Sequence, residues 1–306
     1  MMTLHHPVLV TGAAGKVGAV GRRVAELLLS RNLPVRAFVR QEDPRAQALR
    51  DLGAQVVVGD LTHAPTVVEA LAGCRAAYFS LSVSDQYLEA AVTFTAAARQ
   101  AEHLELLVNM SQMTVSQMSL TSVGESRQQK LHWLAEQAMN WSGVPVTHVR
   151  PTIFMENPLL RDVALKSIET TGTIRLPFGS ARTSPVAASD VAEVVAAALT
   201  EPTLHTGRVY ELTGGTVRDM AAIATEYSDV LRRPVIYDPV PFEEWTERDL
   251  VPLNFPPHLV NHLATMAQLH AQGRYDRLTD HVLRVTGHEP VSLATSLLAN
   301  RSSTDA

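Results

Sequence analysis

Four glycines recur at three-residue spacing in Gly12-Ala13-Ala14-Gly15-Lys16-Val17-Gly18-Ala19-Val20-Gly21, immediately after the apolar run Val8-Leu9-Val10. Glycines do no covalent chemistry, but this spacing suits a phosphate-bearing ligand. They allow positive φ at a tight turn, let the backbone approach a pyrophosphate, and let a helix pack closely on the preceding strand. A helix starting there aims free N–H groups and the positive end of its dipole at phosphate oxygens. Gly12, Gly15 and Gly18 form the expected turn, with Ala14, Lys16 and Val17 as further contacts. The fourth glycine, Gly21, implies a longer loop or a late helix start.

These residues need a strand before the turn and a helix and second strand after it. Val8-Leu9-Val10 reads as a strand buried on both faces. Val24, Leu27, Leu28 and Leu33 supply a helical apolar stripe, and Val35 to Val39 reads as the next parallel strand. The whole stretch from Pro7 to Arg40 therefore predicts a dinucleotide site. At the end of the second strand an acid would bind a ribose 2′-hydroxyl, whereas an arginine accommodates a 2′-phosphate. Arg40 occupies that place, which favours NADP(H). Glu42 and Asp43 follow closely and leave NAD(H) open.

Farther along, Gln55 to Val58 and Ala76 to Ser80 read as strands three and four. They carry Asp60, Leu61 and Ser80 to the carboxyl edge of the sheet, where ligands of open α/β sheets lie. Asp60 is a candidate for the adenine amino group or, alternatively, the N-cap of a helix from Ala64. Glu105 to Asn109 is a fifth strand ending near Ser111. The helix from Ser126 to Asn140 carries Lys130, and Val146 to Arg150 is a strand stopped by Pro151, a further candidate cofactor contact. Ser189 reads as the N-cap of a helix, and Arg208 to Leu212 as a returning strand. The pattern predicts a doubly wound α/β fold. Its nucleotide domain spans 1–154, completed by 186–213, and a smaller substrate lobe is built from 155–185 and 214–306.

Composition narrows the function. The 306 residues are 46% hydrophobic and 19% charged, as in a soluble enzyme. A net charge of −5 gives no electrostatic reason for direct nucleic-acid or anionic-membrane binding. The single cysteine, Cys74, excludes an internal disulfide and a thiolate metal cluster. Neither a secretory signal pattern nor a bilayer-spanning run is present, so the expected location is the cytoplasm. The expected partner is a small-molecule substrate, and a homodimer is left open.

The separated stretches VLVTGAAGKVG, VVGDL, WSGVPVTHVRPTIFMENPLL, SPVAASDVAEVVAAAL, YELTGG and VTGHEPVSL, in this order, resemble the NmrA-like group of atypical short-chain dehydrogenase/reductases. The resemblance covers nearly the whole chain. It implies a Rossmann domain binding NAD(P)(H), with Gly12, Gly15, Gly18, Lys16, Arg40 and Asp60 at cofactor positions. It further implies NAD(P)H-dependent reduction of a quinone, ketone or related small molecule, or cofactor sensing without turnover.

The wider superfamily donates a proton from a tyrosine four residues before a lysine. This chain has lysines only at 16, 130 and 166, preceded at that spacing by Gly12, Ser126 and Asp162. Tyr-x-x-x-Lys is therefore absent. The remaining candidates are Lys130, as acid or as ribose anchor, and Ser111, as hydroxyl donor to the substrate. Tyr87, Tyr78 and Asn157 are candidate pocket residues. His132 falls two residues from Lys130 and is expected on another helix face, in a surface or packing role. His258 and His262 have metal-ligand spacing but lack a credible third ligand, so no metal is expected. No serine sits in a G-x-S-x-G elbow. The leading expectation is an NADP(H)-dependent oxidoreductase, and the alternative is a non-catalytic cofactor-sensing regulator.

Overall fold

The computed structural model describes residues 6–15, 19–101, 103–157 and 165–302. Lys16, Val17 and Gly18 lie outside the described residues. The strands in chain order begin with β1 (Val8–Thr11), β2 (Val35–Val39), β3 (Gln55–Val58), β4 (Ala76–Phe79), β5 (Leu106–Met110) and β6 (Val146–Pro151). Two short strands then leave the sheet, β7 (Thr173–Leu176) and β8 (Arg182–Thr183), before β9 (Val209–Leu212) returns to it. The seven-stranded sheet has the order β3-β2-β1-β4-β5-β6-β9. Every pairing in it is parallel, so all carboxyl ends lie on one edge. The chain order reverses between β1 and β4, where the crevice of such a sheet opens.

Strand periodicity divides the core. Val8 and Val10 face one side with α1 (Val20–Ser30), α2 (Pro44–Asp51) and α7 (Ala188–Thr200), while Leu9 faces the other. That second side is covered by α3 (Ala64–Leu71), α4 (Tyr87–Gln100) and α5 (Arg127–Trp141). Between α5 and α7 the chain forms α6 (Leu165–Thr171), and after α7 the single turn α8 (Pro202–His205).

A second core gathers Ile174, Leu176 and Phe178 with Ile223, Trp245 and Leu263. It is built by β10 (Arg218–Asp219), α9 (Met220–Leu231), β11 (Ile236–Pro239), α10 (Phe242–Trp245) and α11 (Pro257–Ala271), and β11 pairs in parallel with β7. The next helix, α12 (His281–Thr286), returns to the seven-stranded sheet, where Val282 joins the core around α7. The chain closes with α13 (Leu293–Ser302). No described helix is long and apolar enough to cross a membrane.

Two expected helix starts are corrected. Ala187, not Ser189, is the N-cap of α7, and the Glu156 carboxylate accepts the Ala188 N–H at 3.1 Å from the loop after β6. His63, not Asp60, is the N-cap of α3; Asp60 instead accepts the Thr62 N–H at 2.9 Å and its hydroxyl at 2.7 Å.

Buried histidines give the fold an acid-sensitive side. His270 is stacked between Phe178 and Tyr275 at 4.3 and 4.0 Å, and its Nε2 meets the Thr183 hydroxyl at 3.0 Å. Burial pushes His270 and His132 down to about 3, and His262 to about 4. The unfolded chain therefore binds protons below about pH 6.5 that the folded chain refuses, so stability falls as pH falls through that window. Asp190, pushed up to about 6 by burial, acts in the opposite sense between there and its usual 3.8. His270→Phe keeps an aromatic ring in the stack but removes one such group. Urea unfolding at pH 7 and pH 5 should then show an acid-induced loss of stability smaller than the parent's by about 2 kcal/mol.

Candidate functional site

The site begins where β1 stops. Gly12 turns the chain with φ 67°, and the Gly15 N–H returns to its carbonyl at 2.9 Å. The Thr11 hydroxyl donates to the Ser80 carbonyl at 3.0 Å and accepts the Ser80 N–H at 2.8 Å, fastening the ends of β1 and β4. The helix starts late, at Val20, so its second residue is Gly21. A Cβ on Gly21 would lie 2.7 Å from the Gly12 carbonyl and 2.8 Å from the Ala13 nitrogen. Gly21 thus seats the helix on the turn. The unbroken three-residue spacing through Gly21 was the available signal.

A cavity of about 520 Å³ runs from this turn across the ends of β2 and β3. It is lined by Gly12, Ala14 and Gly15, by Arg40, Asp60 and Leu61, and by Ser80 with the loop after β4. The Arg40 side chain is 83% exposed, with Nε 3.9 Å from the Asp60 carboxylate. Hydrogen bonds from Thr62, and then the Arg40 charge, hold Asp60 below the usual carboxylate range.

Arg45, which the motif reading missed, lines the same cavity. Its Nη1 donates to the Ala14 carbonyl at 2.8 Å and its Nε to Asp43 at 2.9 Å. Asp43 also caps α2, while Glu42 pairs with Arg50 at 2.5 and 2.8 Å. The two acids that left NAD(H) open are therefore engaged elsewhere, and two arginines face the cavity where a ribose would end.

A second cavity, of about 280 Å³, shares Gly12, Gly15, Ser80 and the following loop with the first. It continues past β4 and β5 to the second lobe, with Leu259, His262 and Met266 of α11 on its far side. Ser111 and Asn157 line it. Three buried polar atoms on its wall lack a hydrogen-bond partner: Tyr78 Oη, Ser111 Oγ and His132 Nδ1. Tyr78 Oη lies beside Ser80 outside bonding geometry, and burial raises its phenol well above the usual range. Each such orphan costs about 1–3 kcal/mol unless a ligand or water satisfies it. All three belong to residues that line this cavity.

Three expected residues are not brought here. Lys130 is exposed on α5 and lines neither cavity. The helix presents His132 to the cavity instead, because residues two apart face different directions. Tyr87 is fully buried, donates to the Met110 carbonyl at 3.2 Å and packs on the His132 ring at 4.1 Å. It supports the wall from behind rather than lining it. Pro151 ends β6 in register with Leu212, buried and outside both cavities.

The paired histidines of α11 meet protein groups. His258 Nε2 donates to Gln128 Oε1 at 2.9 Å, and His262 Nδ1 lies 2.9 Å from the Ser126 hydroxyl. Among the described residues no group of three or more His, Cys, Asp or Glu could hold a metal ion.

Comparison with known proteins agrees with this geometry. Residues 12–202 match the family model described as NAD(P)H-binding. The chain is 31% identical over 280 residues to the (4-alkanoyl-5-oxo-2,5-dihydrofuran-3-yl)methyl phosphate reductase of Streptomyces griseus, covering 92% of this chain and 93% of that one. Its fold superposes on the NADPH-dependent quinone oxidoreductase QOR2 of Escherichia coli, solved with NADPH. The TM-score is 0.83 at 24% identity, over 96% and 99% of the two chains. It also superposes on NmrA, a negative transcriptional regulator solved with NADP, with TM-score 0.79 at 15% identity over 99% and 98%.

The seat at Gly21 and the exposure of Lys130 make opposite predictions. Gly21→Ala forces backbone apart and should cost about 1–3 kcal/mol in urea unfolding, with at least a tenfold loss of NADPH affinity. Gly124→Ala, where an added Cβ meets nothing within 4 Å, should change neither. Lys130→Ala should leave NADPH affinity within about twofold, as an exposed substitution does.

Proposed function

We propose, for a chain that belongs to the NAD(P)H-binding, NmrA-like family of atypical short-chain dehydrogenase/reductases, that it is an NADP(H)-dependent reductase of small, uncharged carbonyl or quinone acceptors. The observation that carries this reading is a second cavity, lined by Tyr78, Ser111 and His132, that shares its wall with the glycine turn. A site that only held the adenine and phosphates would not need polar groups there.

The residues fit a dinucleotide. The N–H groups of the Gly12–Gly15 turn would take the pyrophosphate, and Asp60 with Leu61 would flank the adenine. Arg40 and Arg45 would hold the 2′-phosphate, since guanidinium and phosphate form charge-assisted hydrogen bonds. When bound, NADPH supplies the hydride, and the protein's task is to place the acceptor and handle charge on its oxygen.

Described residues lining the smaller cavity include no Lys, Arg, Asp or Glu. Its two histidines are held neutral by burial. An acceptor carrying a formal charge would lose solvation there without a counter-ion. Ser111 can donate its hydroxyl to the acceptor oxygen. Leu259, Leu263, Met266 and Phe154 offer an apolar surface to a flat ring. The NADP-binding regulator among the structural neighbours motivates the alternative, a sensor that binds cofactor without turnover.

Titration with NADPH and NADH, followed by quinones and activated ketones in the same cuvette, distinguishes these readings. Preferential NADPH binding with acceptor-dependent oxidation is expected; binding without oxidation across the panel would favour the sensor. Arg40→Ala and Arg45→Ala should each weaken NADPH about tenfold or more, the worth of one charge-assisted contact, while changing NADH by less than about twofold. Equal losses for both cofactors would remove the 2′-phosphate assignment.

A further inference from the structure

Resting on the reductase reading, we propose that His262, on the second lobe, is an electrostatic catalytic residue: its Nε2–H, set by Ser126, donates a hydrogen bond to the acceptor oxygen as negative charge develops there.

The tautomer follows from counting donors and acceptors. Ser126 caps α5, and its Oγ accepts the Gln129 N–H at 3.2 Å while Gln129 Oε1 accepts the Ser126 N–H at 2.8 Å. This reciprocal capping box fixes the serine rotamer. The other contact of that Oγ is His262 Nδ1 at 2.9 Å, and both residues are buried. If the serine accepted from both neighbours, its own hydroxyl proton would be buried without an acceptor. The arrangement that satisfies every atom has Ser126 donating to Nδ1. A neutral ring accepting at Nδ1 carries its proton on Nε2. With the Nδ1 edge occupied and the ring on the cavity wall, Nε2–H is the edge available to a ligand.

The ring's surroundings keep it neutral. His132 and His258 are the titratable groups whose charges bear on this pair, and neither is acidic. Burial pushes His262 down to about 4, so it does not serve as a proton source at neutral pH.

When bound, NADPH would supply the hydride that forms the acceptor's new bond and would itself be left as NADP⁺. The acceptor's π pair moves onto its oxygen, and water supplies the proton that completes the alcohol or hydroquinone. His262 lowers the barrier by stabilising the anion before protonation, as a preorganised neutral donor can. Such a donor acts on kcat more than on cofactor binding.

The test combines spectroscopy of the cofactor-free protein with kinetics. ¹⁵N NMR of the parent, histidine-labelled and assigned with His262→Gln, should show the Nε2–H tautomer, and Ser126→Ala should relax that preference. With a simple quinone or ketone, His262→Leu should lower kcat about 10²-fold, leaving NADPH affinity and the acceptor KM within a few-fold. His262→Gln, which keeps an N–H near the Nε2 position, should recover most of the loss. An Nδ1–H tautomer in the parent would overturn the proposal whatever the variants do. So would a folded His262→Leu with kcat within threefold of an active parent, and this would leave the reductase reading standing. A parent that binds NADPH but reduces no acceptor would overturn both.

Discussion

The site depends on one close backbone contact, the seating of α1 on the turn after β1. A helix can come this near a carbonyl only where no Cβ intervenes, and Gly21 supplies that gap 2.7 Å from the Gly12 carbonyl, measured to where its Cβ would stand. The contact places the turn N–H groups and the amino end of α1 over the ends of β1 and β4, which Thr11 and Ser80 hold together. Both cavities take Gly12, Gly15 and Ser80 as their common wall. Displacing α1 would therefore disturb both cavities at once.

The first turn of α5 performs a second integration. Gln128 Oε1 accepts the Ser84 N–H at 3.2 Å from the loop beside the cofactor cavity, and His258 Nε2 at 2.9 Å from the other lobe. Two residues earlier, Ser126 contacts His262, and Glu125 accepts from Arg274 at 3.0 Å. The loop after β4, the start of α5 and the second lobe thus meet in one hydrogen-bonded cluster. A two-lobed chain would otherwise leave the lobes free to move relative to each other. Here the cavity wall contributed by α11 is fixed by the same helix that carries His132.

Much of this was legible from local patterns. The strands, the doubly wound order and the cofactor edge follow from short β-branched runs and glycine spacing, because those signals depend on neighbours in sequence. Ser111 and Asn157 line the smaller cavity because strand ends converge on one edge. The expected residues that line neither cavity share a physical reason. Lys130 drew attention by residue type, yet which face of α5 meets the cavity is decided by packing against α4 and α11, and that face carries His132. Tyr87 was read as a lining residue although the interior claimed its ring. Arg45 and His262 reach the site from a capping turn and from a helix in the other lobe. Their roles come from tertiary placement, to which sequence spacing is blind.

The missing tyrosine and the uncharged cavity then belong to one solution. A tyrosine–lysine pair delivers a proton by holding a cation beside the phenol, which lowers the phenol's pKa. The described wall has no cation to do this, and Tyr78, at the cavity, has its phenol pushed up by burial. Proton transfer from that phenol would be unfavourable, whereas hydrogen bonding from it remains available. In a low-dielectric site, neutral donors already oriented toward an oxygen are worth more than in water, because no solvent must reorganise as charge appears. Ser111, Tyr78 and His262 offer neutral donors of this kind, and each is positioned by backbone or capping contacts outside the cavity. Under the proposed reading, such donors suit acceptors whose reduced oxygen tolerates brief anionic character, because stabilising charge then matters more than delivering a proton.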